Sequence, residues 1–383
     1  MRLSPVLADL GTYPFVRLDE AKRRLAAEGV SFVDFGVGDP REPVAPFIRQ
    51  ALVDGVEERM GYPLAQGLPE LRRAVADWCR GRFGVDLDPD TEVIPTLGSK
   101  EAIFSLAQVA LDLPGGKDLV VVTEPGYPVQ ERGALFAGGR VLKVPLLEHN
   151  AFLPDLDAIG PETWARIAVF WVNYPNNPTG TVAPLSFFER LAALAVEHDF
   201  LLASDEAYTE LYFGEPPPSA LQLSSRRNVA AFNTLSKRSS MTGYRSGFVA
   251  GDPELIGALR VFRPTVGTAP QDFVQRAAIA AWGDEAHVEQ MRAVYGRKRE
   301  ILLEALREKG IRVAGGEATM YLWLEVPSGG GTSEAFATAL LEHGVVVAPG
   351  AFFGPAGEGY VRIALVPTED ECRRAAAILR EAL

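Results

Sequence analysis

The chain is short of the residues that staple or clip a small fold. Its 383 residues include two cysteines, Cys79 and Cys372, set far apart. Two such thiols make neither a disulfide framework nor a thiolate metal clip. Histidine is scarce as well: His149, His198, His287 and His343 are scattered without ligand spacing, read as surface or helix-end residues, and no metal site is expected. Basic residues are outnumbered, 38 Lys and Arg against 50 Asp and Glu, for a net charge of −12. So acidic a chain argues against nucleic acid as the main partner, yet leaves room for a local basic pocket that binds a small anion. No apolar run comes near the roughly 20 residues that a membrane span needs. The opening "MRLSPVLADLG" has no apolar core for a secretory signal. The expectation is a cytoplasmic protein without a membrane partner. What is present, 47% hydrophobic residues over this length, suffices for one large domain and a smaller one.

Short apolar runs alternate with helix-period segments through the first two thirds of the chain. "EVIPT" precedes "SKEAIFSLAQVALDL", "DLVVVTEP" precedes a helical stretch to Ala137, and "RIAVFWV" leads through "PLSFFERLAALAVEHD" to "FLLASDE". This pattern predicts an α/β fold: a mostly parallel central sheet, buried on both faces by helices. Ligand sites in such sheets gather where strands end. After about residue 284 the texture changes to one long helix ended by Gly310, then strands "YLWLEV" and "YVRIALV" among shorter helices. The predicted division is residues 46–283 as a large domain, and residues 1–45 with 284–383 as a smaller α+β domain that includes the long helix.

Four stretches carry side chains that a fold alone does not require. "GSKEA" (Gly98 to Ala102) joins a strand to a helix with Ser99 as its expected N-cap. Unpaired first-turn amides there suit a phosphate, and equally suit a plain capped helix. "NYPNNPTG" (Asn173 to Gly180) is rich in turn residues, but Asn177 can also offer its amide to a ligand oxygen. "SDEAYTEL" (Ser204 to Leu211) sets Asp205 at the end of an apolar strand. A buried carboxylate needs a partner, and a protonated ring nitrogen would serve. Tyr208, three residues on, can reach the same ligand. "FNTLSKRSSMTGYRSGF" (Phe232 to Phe248) holds Lys237 among hydroxyls. A lysine of lowered pKa is a nucleophilic amine that holds carbonyl compounds as Schiff bases. Thr234, Ser236 and Arg245 are phosphate-binding types, the arginine able to fork across two oxygens. An aldehyde and a phosphate on one molecule, with a ring nitrogen for Asp205, describe pyridoxal phosphate.

"NNPTG", "SDEAY" and "SKRSSMTGYRSGF", with "FGVGDP", "GSKEA", "PGYP" and "YVRIAL" in the same order, resemble the signatures of class I pyridoxal-phosphate aminotransferases of fold type I, over essentially the whole chain. The resemblance implies that Lys237 carries the Schiff base and moves the proton of the substrate α-carbon. It implies that Asp205 pairs with the ring nitrogen, and that Asn177 and Tyr208 bond the ring's phenolic oxygen. Gly98, Ser99, the amide of Lys100, Thr234, Ser236 and Arg245 would surround the phosphate, and Tyr127 would stack on the ring. Arg362, with Gly38 and Asn177, would bind the substrate. Tyr62 would reach the phosphate of a neighbouring subunit, which implies a homodimer with shared active sites. The arginine after the lysine is most similar to that of succinyldiaminopimelate aminotransferases. That implies amino transfer between glutamate and N-succinyl-2-amino-6-ketopimelate in lysine biosynthesis, with Arg17 and Arg238 as candidates, by charge, for the distal carboxylate. "GSKEA" and "PDLD" also occur in the LL-diaminopimelate group. Aspartate, alanine or aromatic specificity, and carbon–sulfur lysis on the same cofactor, stay open. A ligand-sensing transcription regulator is disfavoured, because the aminotransferase pattern starts near residue 10.

Overall fold

A run of apolar residues without alternating polar ones is stable in water only between two layers. The strand Ile167–Asn173 is such a run, buried at all seven positions. The computed structural model describes residues 1–9, 19, 20, 22–24, 27, 29 and 31–382. Numbered in chain order, its strands are β1 (Val33–Asp34), β2 (Val93–Thr96), β3 (Leu119–Glu124), β4 (Arg140–Pro145), β5 (Ile167–Asn173), β6 (Leu201–Asp205), β7 (Val229–Thr234), β8 (Gly247–Gly251), β9 (Val313–Ala314), β10 (Tyr321–Glu325), β11 (Val345–Val346), β12 (Ala348–Pro349) and β13 (Tyr360–Ala364). Seven of them form one sheet in the order β2-β8-β7-β6-β5-β3-β4. Only β8 runs against the others.

Alternate residues of these strands feed two cores. Val169, Trp171, Ala203 and Phe232 pack with the helix Ser99–Ala110 on one face. Phe170, Val172, Leu202 and Val229 pack with the helix Leu185–Glu197 on the other. The predicted central sheet with helices on both faces is what forms.

A second, antiparallel sheet has the order β12-β13-β10-β9. The long helix Ala286–Glu308 and the last helix Glu369–Ala382 share a core with it. β1 pairs in parallel with β11, and the Ala364 amide donates to Phe35 O at 2.9 Å. The segment after β1 is therefore laid beside β13. It is also tied to the long helix: Tyr295 Oη donates to Glu42 Oε2 at 2.9 Å, and buried Lys298 pairs with the same carboxylate. These ties bring residues 36–39 over the carboxyl edge of the large sheet. Among the described residues no helix is long and apolar enough to cross a membrane, and no cluster of His, Cys, Asp or Glu could hold a metal ion.

Candidate active site

The carboxyl ends of β5, β6 and β7 open into a cavity of about 600 Å³, closed from the other side by residues 37–39, Tyr321 and Arg362. Strand ends are where side chains leave the sheet's hydrogen-bonded layer and can face a ligand. Lys237 sits in a single helical turn, Leu235–Arg238, whose N-cap Thr234 accepts from the Ser236 amide at 3.1 Å. Its Nζ donates to Gly38 O at 2.6 Å. Burial pushes its ammonium below the ordinary lysine range, Tyr321 and Asp39 oppose this, and the Arg362 and Arg245 charges add to it. A lysine so placed is readier to act as a free amine.

Asp205 ends β6 with 5% of its surface exposed. Burial raises its carboxyl to about 7, countered only by a donation from the Ala207 amide at 3.3 Å. Among the described residues no cation pairs with it to stabilise its charge. The pyridinium nitrogen of pyridoxal phosphate is such a cation, so the donor set fits the cofactor. Asn173, which sequence reasoning missed, ties this corner together. Its Nδ2 donates to Asp205 O at 2.8 Å, while its Oδ1 accepts from the Asn177 amide at 2.9 Å.

Arg362 enters from β13 and is 3% exposed. It donates to Asn177 Oδ1 at 2.9 Å and to Gly36 O at 2.8 Å, and its guanidinium lies 4.3 Å from the Tyr321 ring centre. Tyr321, also missed, bonds Tyr208 through their hydroxyls at 2.9 Å. Burial, then the Tyr321 hydroxyl, push the Tyr208 phenol well up. Tyr321 also explains Gly38: a Cβ there would meet the Tyr321 hydroxyl at 2.1 Å.

The end of the cavity nearest Arg245 is open, with Arg245 and Lys100 exposed. Arg245 donates to Ser236 Oγ at 3.4 Å, Thr242 O at 2.8 Å and Leu97 O at 3.2 Å. Gly98 has φ +71°, and a Cβ on it would come 2.5 Å from Arg245 Nη2. The helix that follows starts differently from expectation: Gly98, not Ser99, is the N-cap, without a side-chain bond. Ser99 is instead the first helical residue, and Glu101 Oε1 accepts the Leu97 amide at 3.0 Å. Lys100 Nζ lies 6.0 Å from the Tyr127 ring centre, and Ser99 and Tyr127 line the same cavity.

Two expected residues stand elsewhere. Tyr62 is fully exposed on the surface. Arg238, a candidate for a distal carboxylate, is buried behind the lysine turn and paired with Glu285, because its long side chain turns inward onto Trp282. Arg17 lies outside the described residues. Asp39, Arg132 and Phe353, which the motifs did not flag, line the cavity.

The sequence model of the aminotransferase class I and II family matches residues 30–379. An LL-diaminopimelate aminotransferase of Nitratidesulfovibrio vulgaris is 42% identical over 383 residues, covering 98% of this chain and 97% of its own. Another LL-diaminopimelate aminotransferase, from Aquifex aeolicus, is 44% identical over 368 residues, with 94% of each chain covered. Among solved structures, a probable N-succinyldiaminopimelate aminotransferase of Thermus thermophilus superposes with a TM-score of 0.89 at 34% identity, over 96% of this chain and 100% of that one. Fold, cavity and kinship agree: the chain belongs to the class I and II aminotransferases and is a transferase of amino groups that uses pyridoxal phosphate.

Proposed function

We propose that the enzyme takes the amino group of LL-diaminopimelate and returns it, through the cofactor, to a keto acid related to glutamate. The observation that carries the catalytic part is one cavity lined by both Lys237, an amine held below its ordinary pKa, and Asp205, a carboxyl raised by burial. Bound pyridoxal phosphate supplies an aldehyde carbon and a pyridinium ring that draws electrons from the substrate's α-carbon. In this reading Lys237 Nζ holds the aldehyde carbon and carries the α-proton. Asp205 holds the ring nitrogen, and Asn177 and Tyr208 hold the phenolic oxygen. Gly98, Ser99, the Lys100 amide, Thr234, Ser236 and Arg245 hold the phosphate, and Tyr127 covers the ring. Arg362 takes the substrate α-carboxylate in a two-pronged grip beside Gly38. Residues 46–283 would form the cofactor-binding unit. The rest of the chain, residues 1–45 with 284–383, would carry Arg362, with the long helix as the joint.

Two points favour LL-diaminopimelate over its succinylated form. Relatives named for it match nearly the whole chain. The cavity wall also offers charges of both signs, Lys100 and Arg132 with Asp39, which suits a second amino-acid end. A succinylated nitrogen has lost its positive charge. The arginine that suggested a succinyl group, Arg238, is committed to Glu285. The succinylated substrate is the second reading, favoured by the Thermus structure. The test is a half-reaction: mix holoenzyme with LL-diaminopimelate or with N-succinyl-LL-diaminopimelate, without keto acid, and follow the cofactor's absorbance. Faster bleaching at low concentration by LL-diaminopimelate is expected; preference for the succinylated compound would reverse the assignment. Pyruvate released from cystathionine without a keto acid would point to a lyase.

A further inference from the structure

Residues 238, 239 and 240, which follow Lys237, are each anchored to the corner where the long helix begins. Arg238, 1% exposed, donates to Ala281 O at 2.7 Å and Asp284 O at 3.2 Å and pairs with Glu285. Ser239 Oγ lies 2.8 Å from His287 Nε2, and His287 Nδ1 lies 2.6 Å from Asp284 Oδ1. Ser240 Oγ lies 3.7 Å from Met291 Sδ. The sequence suggests a surface or helix-end position for His287. It does open a helix, but it is 8% exposed, packed edge-on against Phe47.

A serine, a histidine and an aspartate in a string suggest a hydrolytic triad, but Ser239 is wholly buried and has no access to a substrate. The string does something else. Asp284 holds a proton on Nδ1, which leaves Nε2 to accept the Ser239 hydroxyl. Burial and the Arg238 charge disfavour the imidazolium, while Asp284 and Glu285 favour it; the net direction is downward, so the ring stays neutral. Two and three turns further along, the same helix grips Glu42 through Tyr295 and Lys298. Glu42 lies four residues beyond Gly38, whose carbonyl meets Lys237 Nζ. One helix thus holds the root of Lys237 through Ser239 and its tip through residues 38–42.

We propose that the Ser239–His287–Asp284 string is a positioning device that fixes the lysine-bearing turn to the long helix, with His287 as a positioning residue for proton transfer by Lys237. The inference rests on Lys237 being the lysine that holds the cofactor. Holoenzymes carrying Ser239→Ala, His287→Asn and His287→Gln are compared with wild type. The glutamine keeps a partner for Ser239; the asparagine keeps only the Asp284 side. A misplaced amine should lower kcat about tenfold with little change in KM. It should also shift the pH midpoint of the bound cofactor's absorbance band. Both effects are expected for Ser239→Ala and His287→Asn, with His287→Gln restoring most of each. Melting temperatures separate positioning from loss of fold. If the alanine protein does not fold, the His287 pair at matched melting temperature carries the test. Unshifted midpoint and kcat in a folded Ser239→Ala or His287→Asn protein would overturn the inference, as would losses that glutamine fails to restore at wild-type melting. Borohydride reduction of wild type, with peptide mapping, runs alongside. A pyridoxyl group on another lysine would overturn the reading of Lys237 and this inference with it. A pyridoxyl group on Lys237 with unshifted variants would overturn the inference alone.

Discussion

Asp205 is held where ionisation is costly, and the cost is measurable without any substrate. Its folded-state pKa of about 7 lies above the roughly 3.9 of an unfolded aspartate. The folded apoprotein keeps a proton that the unfolded chain releases. Stability from this group is therefore fully present below about pH 4 and is lost as pH rises to about 7, at most about 4 kcal/mol in all. Urea melts of apo wild type and apo Asp205→Asn at pH 5 and pH 8 should show the wild type losing ground to the variant as pH rises. Parallel behaviour would contradict the burial argument. Gly98→Ala makes a second residue-scale test: the strained φ and the 2.5 Å approach to Arg245 should weaken cofactor binding by about tenfold, read as the dissociation constant of pyridoxal phosphate for the apoprotein. Unchanged affinity would free Arg245 from the proposed phosphate role. That Lys237, Asp205 and Arg245 line one cavity is legible in the sequence because each sits in a short stretch whose neighbours share its chemistry. Tyr321, Asn173 and Asp39 are not, since nothing local marks a tyrosine inside an apolar strand or an asparagine at the end of one as facing a cavity. Arg238 misleads because charge says nothing of direction: its guanidinium lies 4.9 Å from the Trp282 ring centre, behind the turn.

At the scale of elements, the alternation of apolar runs with helical segments foretells the parallel sheet, because a strand buried on both faces leaves an unbroken apolar signature. The reversal of β8 and the pairing of β1 with β11 leave no such mark, as both are set by partners far away in sequence. The long helix is plain from its period, but not its duty as an anchor for residue 42. That duty predicts a penalty. Glu42→Gln leaves Lys298, 2% exposed, without its counter-charge and should cost about 3 kcal/mol of stability. Replacing both, Glu42→Leu with Lys298→Met, should cost less than the single change. Denaturant unfolding of the three proteins checks this, and a single change without effect would remove the anchor from the account.

At the scale of the whole molecule, fully exposed Tyr62 fits the proposal that a second copy of the chain completes the site. Val53, Val56, Leu64 and Val261 are exposed too, and the proposed homodimer would cover such side chains. If Tyr62 serves the partner's phosphate, mixed Tyr62→Phe and Lys237→Ala chains should regain part of the activity through hybrid sites, measured after subunit exchange is confirmed. No recovery would leave Tyr62 outside the active site. All of this turns on one covalent bond. Borohydride reduction of the yellow holoenzyme followed by mass spectrometry of its peptides reads that bond directly. The account predicts a pyridoxyl group on the peptide containing Lys237 and on no other; the label on any other lysine, or none at all, would contradict it.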